Sequence, residues 1–167
     1  MLSVMLSVAN DFPDFQFVIA GAPSQERALY EPFLKNKQVH LLANKTYDLL
    51  RHATGALVTS GTATLETALF KVPEVVCYKG SWASYQIAKR IITLKYISLV
   101  NLIMDREVVT ELIQDDCNSK KIKTELQKLL DSDHRKKLLA DYDLLEEKLG
   151  GTGASEKTAR LIVRNLK

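Results

Sequence analysis

The sequence predicts an α/β fold with a Rossmann-like parallel sheet flanked by helices, followed by a helical carboxyl-terminal region. Up to Arg106, short apolar segments rich in β-branched residues alternate with segments whose apolar residues recur at helical spacing. After Arg106 only the helical spacing continues. A length of 167 residues suits one hydrophobic core. We therefore expect a Rossmann-like domain over residues 1–117 and a helical extension over residues 118–167, which packs on the same domain or on a partner.

Five segments are predicted to be strands. The first is apolar and aromatic and ends in Gly21, which is typical of a buried strand. Parallel strands bring their carboxyl ends to one edge of a sheet, where ligands of such folds bind. The expected strands are residues 15–21, 39–42, 55–58, 74–78 and 96–100, and the residues at their carboxyl ends are Gly21, Leu42, Ser60, Tyr78 and Asn101.

Helices are predicted around these strands, and prolines mark several of their ends. Pro13 stops the first helix, Pro23 opens the second and Pro73 ends the fourth. Thr46 or Asn44 is expected to cap the third. The expected helices are residues 2–11, 24–34, 47–53 and 62–71, with one more beginning at Ser81.

Three apolar stripes at helical spacing make up the carboxyl-terminal region. The third follows the hinge-like run Gly150–Gly153. A terminal helix of this kind either folds back on its own sheet or packs on a neighbouring domain or subunit, such as a second copy in a homodimer. The stripes are Ile122, Leu126, Leu129 and Leu130; Leu138, Leu139, Tyr142, Leu145 and Leu149; and Ala159, Ile162, Val163 and Leu166.

Composition argues against several classes of protein. The net charge is only +3 and the basic residues are spread along the chain, so nucleic-acid binding is not indicated. Cys77 and Cys117 have neither metal-ligand nor redox spacing, which favours a reduced, cytosolic setting. His40, His52 and His134 are isolated in the sequence. We expect neither a metal nor a cofactor.

The amino-terminal run from Met1 is apolar but has no basic residues ahead of its apolar part, and it continues into Asn10 and Asp11. We do not interpret it as a signal peptide. No apolar run has the length of a membrane-spanning helix. The start reads as the middle of a helix, as if the chain begins inside a larger protein.

The run from Ser60 to Glu66 is the strongest candidate for a binding site. It joins an apolar strand to a helix through the Ser60-Gly61 turn. The first N–H groups of a helix have no acceptor within it, and Gly61 allows an anion to approach the backbone. Glu66 lies about one turn beyond Thr62, where a carboxylate can accept from a ribose diol. The alternative is that Ser60 or Thr62 only caps the helix and Glu66 is a solvated acid.

Other polar residues also have two interpretations. Asn101 either contacts a ligand or caps a turn. The same two interpretations apply to Glu111 and Gln114, which lie three residues apart at an expected helix end. One aromatic and basic set either meets an anionic membrane surface or is half core and half solvated face. That set is Lys79, Trp82, Tyr85, Lys89, Arg90 and Lys95.

Several motifs, taken in this order, resemble the lipid-A-disaccharide synthase family. The resemblance runs from about residue 15 to residue 117. The motifs are Ser60-Gly-Thr-Ala-Thr-Leu-Glu66-Thr-Ala-Leu, Pro73-x-Val-Val-x-Tyr78-Lys79, Ala88-Lys89-Arg90, Ser98-Leu-x-Asn101-Leu102 and Glu111-Leu-Ile-Gln114.

The resemblance implies an inverting glycosyltransferase of the GT-B type, with two Rossmann-like domains. Such an enzyme transfers 2,3-diacylglucosamine from UDP-2,3-diacylglucosamine to lipid X in lipid A biosynthesis. It works at the cytoplasmic face of the inner membrane of a Gram-negative bacterium, as a peripheral protein. Only the carboxyl-terminal, donor-binding half matches, and the amino-terminal acceptor domain with the proposed general base is absent. This chain alone is therefore expected to be inactive, and its catalytic residue is unknown.

The resemblance also implies roles for residues at the carboxyl ends of the strands. The diphosphate would be held by the turn, which consists of Ser60, Gly61, Thr62, Ala63 and Thr64, and the ribose would be bound by Glu66. The uracil would face the backbone at Leu42 and Ala43. Three polar residues would lie toward the donor sugar: Asn101, Glu111 and Gln114.

Two other functions remain open from the sequence. One is another UDP-sugar enzyme of GT-B form, such as a UDP-N-acetylglucosamine 2-epimerase, which would not need an acylated donor. The other is a non-catalytic Rossmann-like module that binds a partner through the helix after Gly153. Such a module should show no saturable response to UDP.

Overall fold

The computed structural model describes residues 1–81, 95–151 and 153–166. Three predictions fall on residues 82–94, outside the described residues. They are the helix expected to begin at Ser81, the Ala88-Lys89-Arg90 motif, and the roles of Trp82 and Tyr85 in the aromatic and basic set. The expectations attached to them stay predictions.

The strands form two parallel sheets. In the first, β1 (Phe17–Gly21) pairs with β2 (Val39–Ala43). In the second, β3 (Ala56–Thr59), β4 (Glu74–Tyr78) and β5 (Thr110–Ile113) pair in that order, with β4 in the middle. These pairings confirm the α/β class and four of the five expected strands. Because all pairs are parallel, the carboxyl ends within each sheet share one edge.

The expected fifth strand is in the wrong place. Residues 96–100 do not form a strand; Ser98 instead caps helix α4 (Leu99–Met104), and its hydroxyl accepts from the N–H of Asn101. The fifth strand is β5, so the expectation that strands stop after Arg106 is also wrong. Its first two residues, Thr110 and Glu111, are polar and hide the strand pattern in the sequence.

The amino-terminal helices are shorter than predicted. Residues 2–11 form helix α1 (Leu2–Leu6) and a separate 3₁₀ turn (Ala9–Asp11). The helix expected over residues 24–34 is absent, and one 3₁₀ turn (Arg27–Leu29) stands there. Pro32 explains this, because it lacks an N–H and its ring clashes with the carbonyl four residues earlier in a helix.

Two helices flank the strands as predicted, α2 (Thr46–His52) and α3 (Thr62–Leu69). The cap predicted for α2 is wrong. Lys45 occupies the N-cap position without a side-chain cap bond, and Asn44 has a left-handed backbone, with a φ of 59°.

The main core lies between the three-stranded sheet and the carboxyl-terminal helices α5 (Ser119–Leu130) and α6 (Ser132–Lys148). Ile122 from α5 and Tyr142 and Leu145 from α6 are fully buried in it. A second, smaller core joins β1 and β2 to the amino-terminal turns. Its buried members are Ala9, Ile19, Tyr30 and Val39.

Both cysteines are buried in the main core. Burial, together with the neighbouring Cys117, raises the pKa of the Cys77 thiol to about 12. A thiol with that pKa is protonated at neutral pH, so it is a poor nucleophile and a poor metal ligand.

The last helix, α7 (Ala154–Asn165), differs from the other two carboxyl-terminal helices. Its Leu161, Ile162 and Val163 are all more than half exposed, whereas α6 buries Leu138, Tyr142 and Leu145. Gly150, Gly151 and Gly153, before it, all have positive φ. Packing of α7 on a partner stays a prediction. Among the described helices, none is long and apolar enough to cross a bilayer.

Candidate anion-binding site

The turn between β3 and α3 exposes a row of backbone donors. Gly61, Thr62 and Ala63 are exposed, and within the described residues their N–H groups have no protein acceptor. The next N–H, that of Thr64, donates to the carbonyl of Gly61 at 3.2 Å. These three donors stand at the amino end of α3, where the helix dipole adds partial positive charge. The arrangement suits an anion.

Gly61 gives the turn its shape. Its φ of 149° and ψ of −165° lie in a region that is essentially confined to glycine. A Cβ built at this position would meet no atom within 4 Å. The backbone conformation, rather than crowding, is therefore what requires glycine here, and no described residue fills the space beside its Cα.

Two hydroxyls predicted to help bind phosphate are already used inside the protein. The hydroxyl of Ser60 donates to the carbonyl of Ile97 at 2.8 Å. The hydroxyl of Thr64 donates to the carbonyl of Gly61 at 2.8 Å, and Thr64 is fully buried. Neither hydrogen is free for an anion in this structure. The donors without a protein acceptor among the described residues are therefore the backbone N–H groups of Gly61, Thr62 and Ala63, which are exposed residues.

Glu66 lies one turn into α3 and is half-buried. It stands four residues after Thr62, so both side chains are on the same face of the helix. This is the placement expected for a carboxylate that accepts from a diol while the turn holds a phosphate.

Asn101 and Glu111, predicted near the donor sugar, are joined in one internal hydrogen-bond network. The Glu111 carboxylate accepts from the N–H of Ile97 at 2.9 Å, from the N–H and hydroxyl of Ser98 at 2.9 and 2.7 Å, and from the amide of Asn101 at 2.9 Å. Asn101 is fully buried, and its side-chain oxygen accepts from the N–H groups of Val108 and Val109.

Ser60 connects the turn to this network. The peptide group between Ile97 and Ser98 accepts from the Ser60 hydroxyl at its carbonyl and donates to Glu111 at its N–H. We call Ser60, Ile97, Ser98, Asn101 and Glu111 the Glu111 network. The structure thus brings together three predicted site residues, Ser60, Asn101 and Glu111. Hydrogen bonds of this network join them, and they are not arranged around an empty space.

Gln114 follows β5 at the same edge of the sheet. Its φ is 51°, an uncommon value for a residue other than glycine. Its side-chain oxygen accepts from the N–H of Gly80 at 3.2 Å. Its side-chain nitrogen is buried and has no hydrogen-bond partner in the part of the chain that the structure describes. A left-handed residue with an unused donor is often found at functional sites.

Leu42 and Ala43 end β2, in the other sheet. Ala43 lines a cavity of about 140 Å³, and Leu42 does not. Sequence reasoning missed the polar residues of this cavity, because it placed them in a helix. The lining residues are Gly21, Ala22, Gln25, Arg27, Tyr30, Leu41 and Ala43.

No metal centre is evident: the described residues contain no group of three or more His, Cys, Asp and Glu side chains placed to hold an ion.

Comparison with known proteins gives one consistent family. The family model described as lipid-A-disaccharide synthetase matches residues 1–163. The chain is 36% identical over 155 residues to the lipid-A-disaccharide synthase of Anaeromyxobacter dehalogenans, covering 90% of this chain and 40% of that protein. It is 35% identical over 158 residues to that of Geobacter sulfurreducens, covering 93% and 41%. The chain therefore spans about two fifths of the length of these curated relatives.

Proposed function

The chain belongs to the lipid-A-disaccharide synthetase family, and from that membership we propose that it is the donor-binding part of a glycosyltransferase of lipid A biosynthesis. The donor would be UDP-2,3-diacylglucosamine and the acceptor lipid X. The reaction forms a bond from the anomeric carbon of the donor to the acceptor hydroxyl, breaks the bond to UDP, and leaves the hydroxyl proton to a base.

The row of N–H groups at Gly61, Thr62 and Ala63 carries this proposal. A diphosphate bound there receives several backbone hydrogen bonds and faces the positive end of the helix dipole. As the bond to the sugar breaks, negative charge grows on the leaving phosphate, and donors already aimed at it lower the barrier. No proton has to be transferred by the turn itself.

The other contacts to the donor follow from where each residue lies. Glu66 would accept from the ribose hydroxyls, and the backbone at Leu42 and Ala43 would face the uracil, where Ala43 borders the cavity. Among the three residues predicted toward the sugar, Gln114 has a side-chain nitrogen that no described residue accepts from. Asn101 and Glu111 would lie just beneath the donor.

The general base is proposed to lie outside this chain, in an amino-terminal acceptor domain. The relatives are more than twice as long as this chain, which leaves room for such a domain. We expect no disaccharide formation by this chain alone, because transfer requires donor, acceptor and base to be held in line. The whole enzyme would be cytoplasmic and peripheral to the inner membrane, since its substrates carry acyl chains. A homodimer through α7 is part of the same proposal.

Calorimetry with UDP and with uridine tests the proposal. We expect Gly61→Val to weaken UDP binding by about tenfold or more and uridine binding much less, because uridine has no phosphate. Gly151→Val is the matched control, since Gly151 also has positive φ and open space around it but lies in the hinge before α7. Glu66→Gln should weaken both ligands, since both carry the ribose.

Four outcomes would contradict parts of the proposal. Saturable binding of neither ligand would favour a non-catalytic module. Equal losses for UDP and uridine in Gly61→Val would place the defect in the fold rather than in a phosphate site. Disaccharide formation by the chain alone would show that the base lies within these residues. Preference for UDP-N-acetylglucosamine over the diacyl donor would favour the epimerase alternative.

A further inference from the structure

We propose that Glu111 is a positioning residue that holds the Ser60-Gly61 turn in its anion-binding form, acting through the peptide group between Ile97 and Ser98. This inference rests on the proposed function, because it assigns a role in binding the diphosphate. It differs from a direct contact between Glu111 and the donor sugar.

The arrangement of the strands makes such a link necessary. Ser60 follows β3, Glu111 lies in β5, and β4 separates the two strands. The segment around Ile97 spans this gap. Its carbonyl takes the hydrogen of Ser60, and the N–H of the same peptide group donates to Glu111. Hydrogen bonds at the two ends of one peptide group polarise each other, so the turn and Glu111 are coupled.

Only a carboxylate satisfies the donors that converge on Glu111. Four donors point at its two oxygens: one at Oε2 and three at Oε1. A glutamine has one acceptor oxygen, and its NH₂ group would face another N–H. Either the Ile97 side or the Ser98 side of the segment must then lose its acceptor and move. Asn101, beyond Ser98, is held in place because its side-chain oxygen accepts from the N–H groups of Val108 and Val109.

The network also determines how Ser60 acts. Its hydrogen is given to Ile97, so the hydroxyl is not a phosphate donor while the network is intact. Ser60 and Glu111 are two ends of one link that fixes the exposed N–H groups of Gly61, Thr62 and Ala63. Fixed donors bind an anion more tightly because less ordering is needed when it arrives.

A ligand-free experiment tests the positioning step by itself. Amide hydrogen exchange and amide chemical shifts are measured by NMR for the wild type, Glu111→Gln and the matched control Glu107→Gln, an exposed glutamate four residues earlier. We expect exchange at Ile97 or Ser98 to quicken by about tenfold in Glu111→Gln and the shifts of Gly61–Ala63 to move. The control should change neither. Unmoved shifts at Gly61–Ala63 would overturn the proposal, whatever UDP does.

Ser60→Ala gives a second variant, which breaks the same link from the other end and leaves the four donors of Glu111 in place. The same turn amides should move, and this arm decides the question if Glu111→Gln does not fold. Absence of movement there contradicts the proposal.

A double-mutant cycle with UDP and uridine separates positioning from sugar contact and from general damage to the fold. We expect Ser60→Ala and Glu111→Gln each to weaken UDP by about tenfold, with little effect on uridine, and the double variant to be no weaker than the weaker single variant. Losses that multiply, or equal losses for uridine, would overturn it. If the wild type does not bind UDP, the proposed function fails, and the exchange experiment still decides whether Glu111 fixes the turn.

Discussion

Glu111 on β5 and Glu74 on β4 occupy neighbouring strands of one sheet, but their carboxyl groups have opposite surroundings. Glu111 receives four hydrogen bonds, and the peptide group between Ile97 and Ser98 links it to Ser60 at the edge where the binding turn lies. Glu74 begins its strand at the other edge, is 1% exposed, and neither of its oxygens has a hydrogen-bond partner among the described residues. Burial raises its pKa well above the ordinary value.

This difference shows that burial of a carboxyl group does not by itself indicate a function. Glu74 is the more deeply buried of the two, and burial raises its pKa, which would make it a candidate for a functional site on that criterion alone. It faces the main core, where burial and then the nearby Glu74 raise the pKa of the Tyr142 hydroxyl. Glu111, with its donors satisfied, is the group connected to the exposed turn. Connection to the turn, rather than a shifted pKa, links a carboxyl group to the proposed site.

The largest effect is expected from removing the satisfied carboxylate. Glu111→Leu leaves four donors without their acceptor, and we expect the free energy of unfolding to fall by about 3–5 kcal/mol. Urea unfolding followed by circular dichroism measures this. Glu107→Leu, at an exposed position, should change stability by less than about 0.5 kcal/mol. A loss below about 1 kcal/mol for Glu111→Leu would show that the network is not held by that carboxylate.

A smaller effect of opposite sign is expected at Glu74. Glu74→Met replaces an unpartnered buried carboxyl by an apolar side chain of similar length, and we expect a gain of about 1–2 kcal/mol at neutral pH. The same urea experiment applies. A loss comparable to that of Glu111→Leu would mean that Glu74 is satisfied by a partner, and the contrast between the two glutamates would disappear.

A pH dependence that belongs to Glu74 is also expected. Its pKa is raised by folding, so between the unfolded and folded pKa values the folded state binds more protons. Stability from this group is therefore fully present below the unfolded pKa of about 4.3 and falls as the pH rises toward the folded pKa, by at most about 1.4 kcal/mol per pH unit. Thermal or urea unfolding between pH 4 and 8 should show this decline in the wild type and a shallower one in Glu74→Met. Equal slopes would contradict it.

Much of the fold could be predicted because the signals are local. Strands β1, β3 and β4 are largely apolar runs with β-branched residues and have Gly, Pro or Ser at one end or beside it, and the Ser60-Gly61 turn carries its own conformational signature. The fifth strand was misplaced because residues 96–100 look like a strand, whereas Ser98 caps a helix and β5 opens with polar residues. Pro32 ruled out the second helix locally, and that signal was present in the sequence.

The candidate site was predictable only in part. The exposed N–H groups follow from the strand-turn-helix pattern. The partner of the Ser60 hydroxyl does not, because Ile97 is 37 residues away in the sequence and lies beside Ser60 only in the tertiary structure. The same holds for the donors that converge on Glu111. Long-range hydrogen bonds depend on topology, which spacing in the sequence does not encode.

The most direct test of the central account compares the two edges of the sheet during a UDP titration, with backbone amides followed by NMR. We expect the amide signals of Gly61, Thr62 and Ala63 to shift as UDP saturates the chain and to stay almost unchanged with uridine. The amides of Glu74 and Val75, at the opposite edge, should remain still with both ligands. Saturation by UDP without movement of the Gly61–Ala63 signals would contradict the assignment of the diphosphate to this turn.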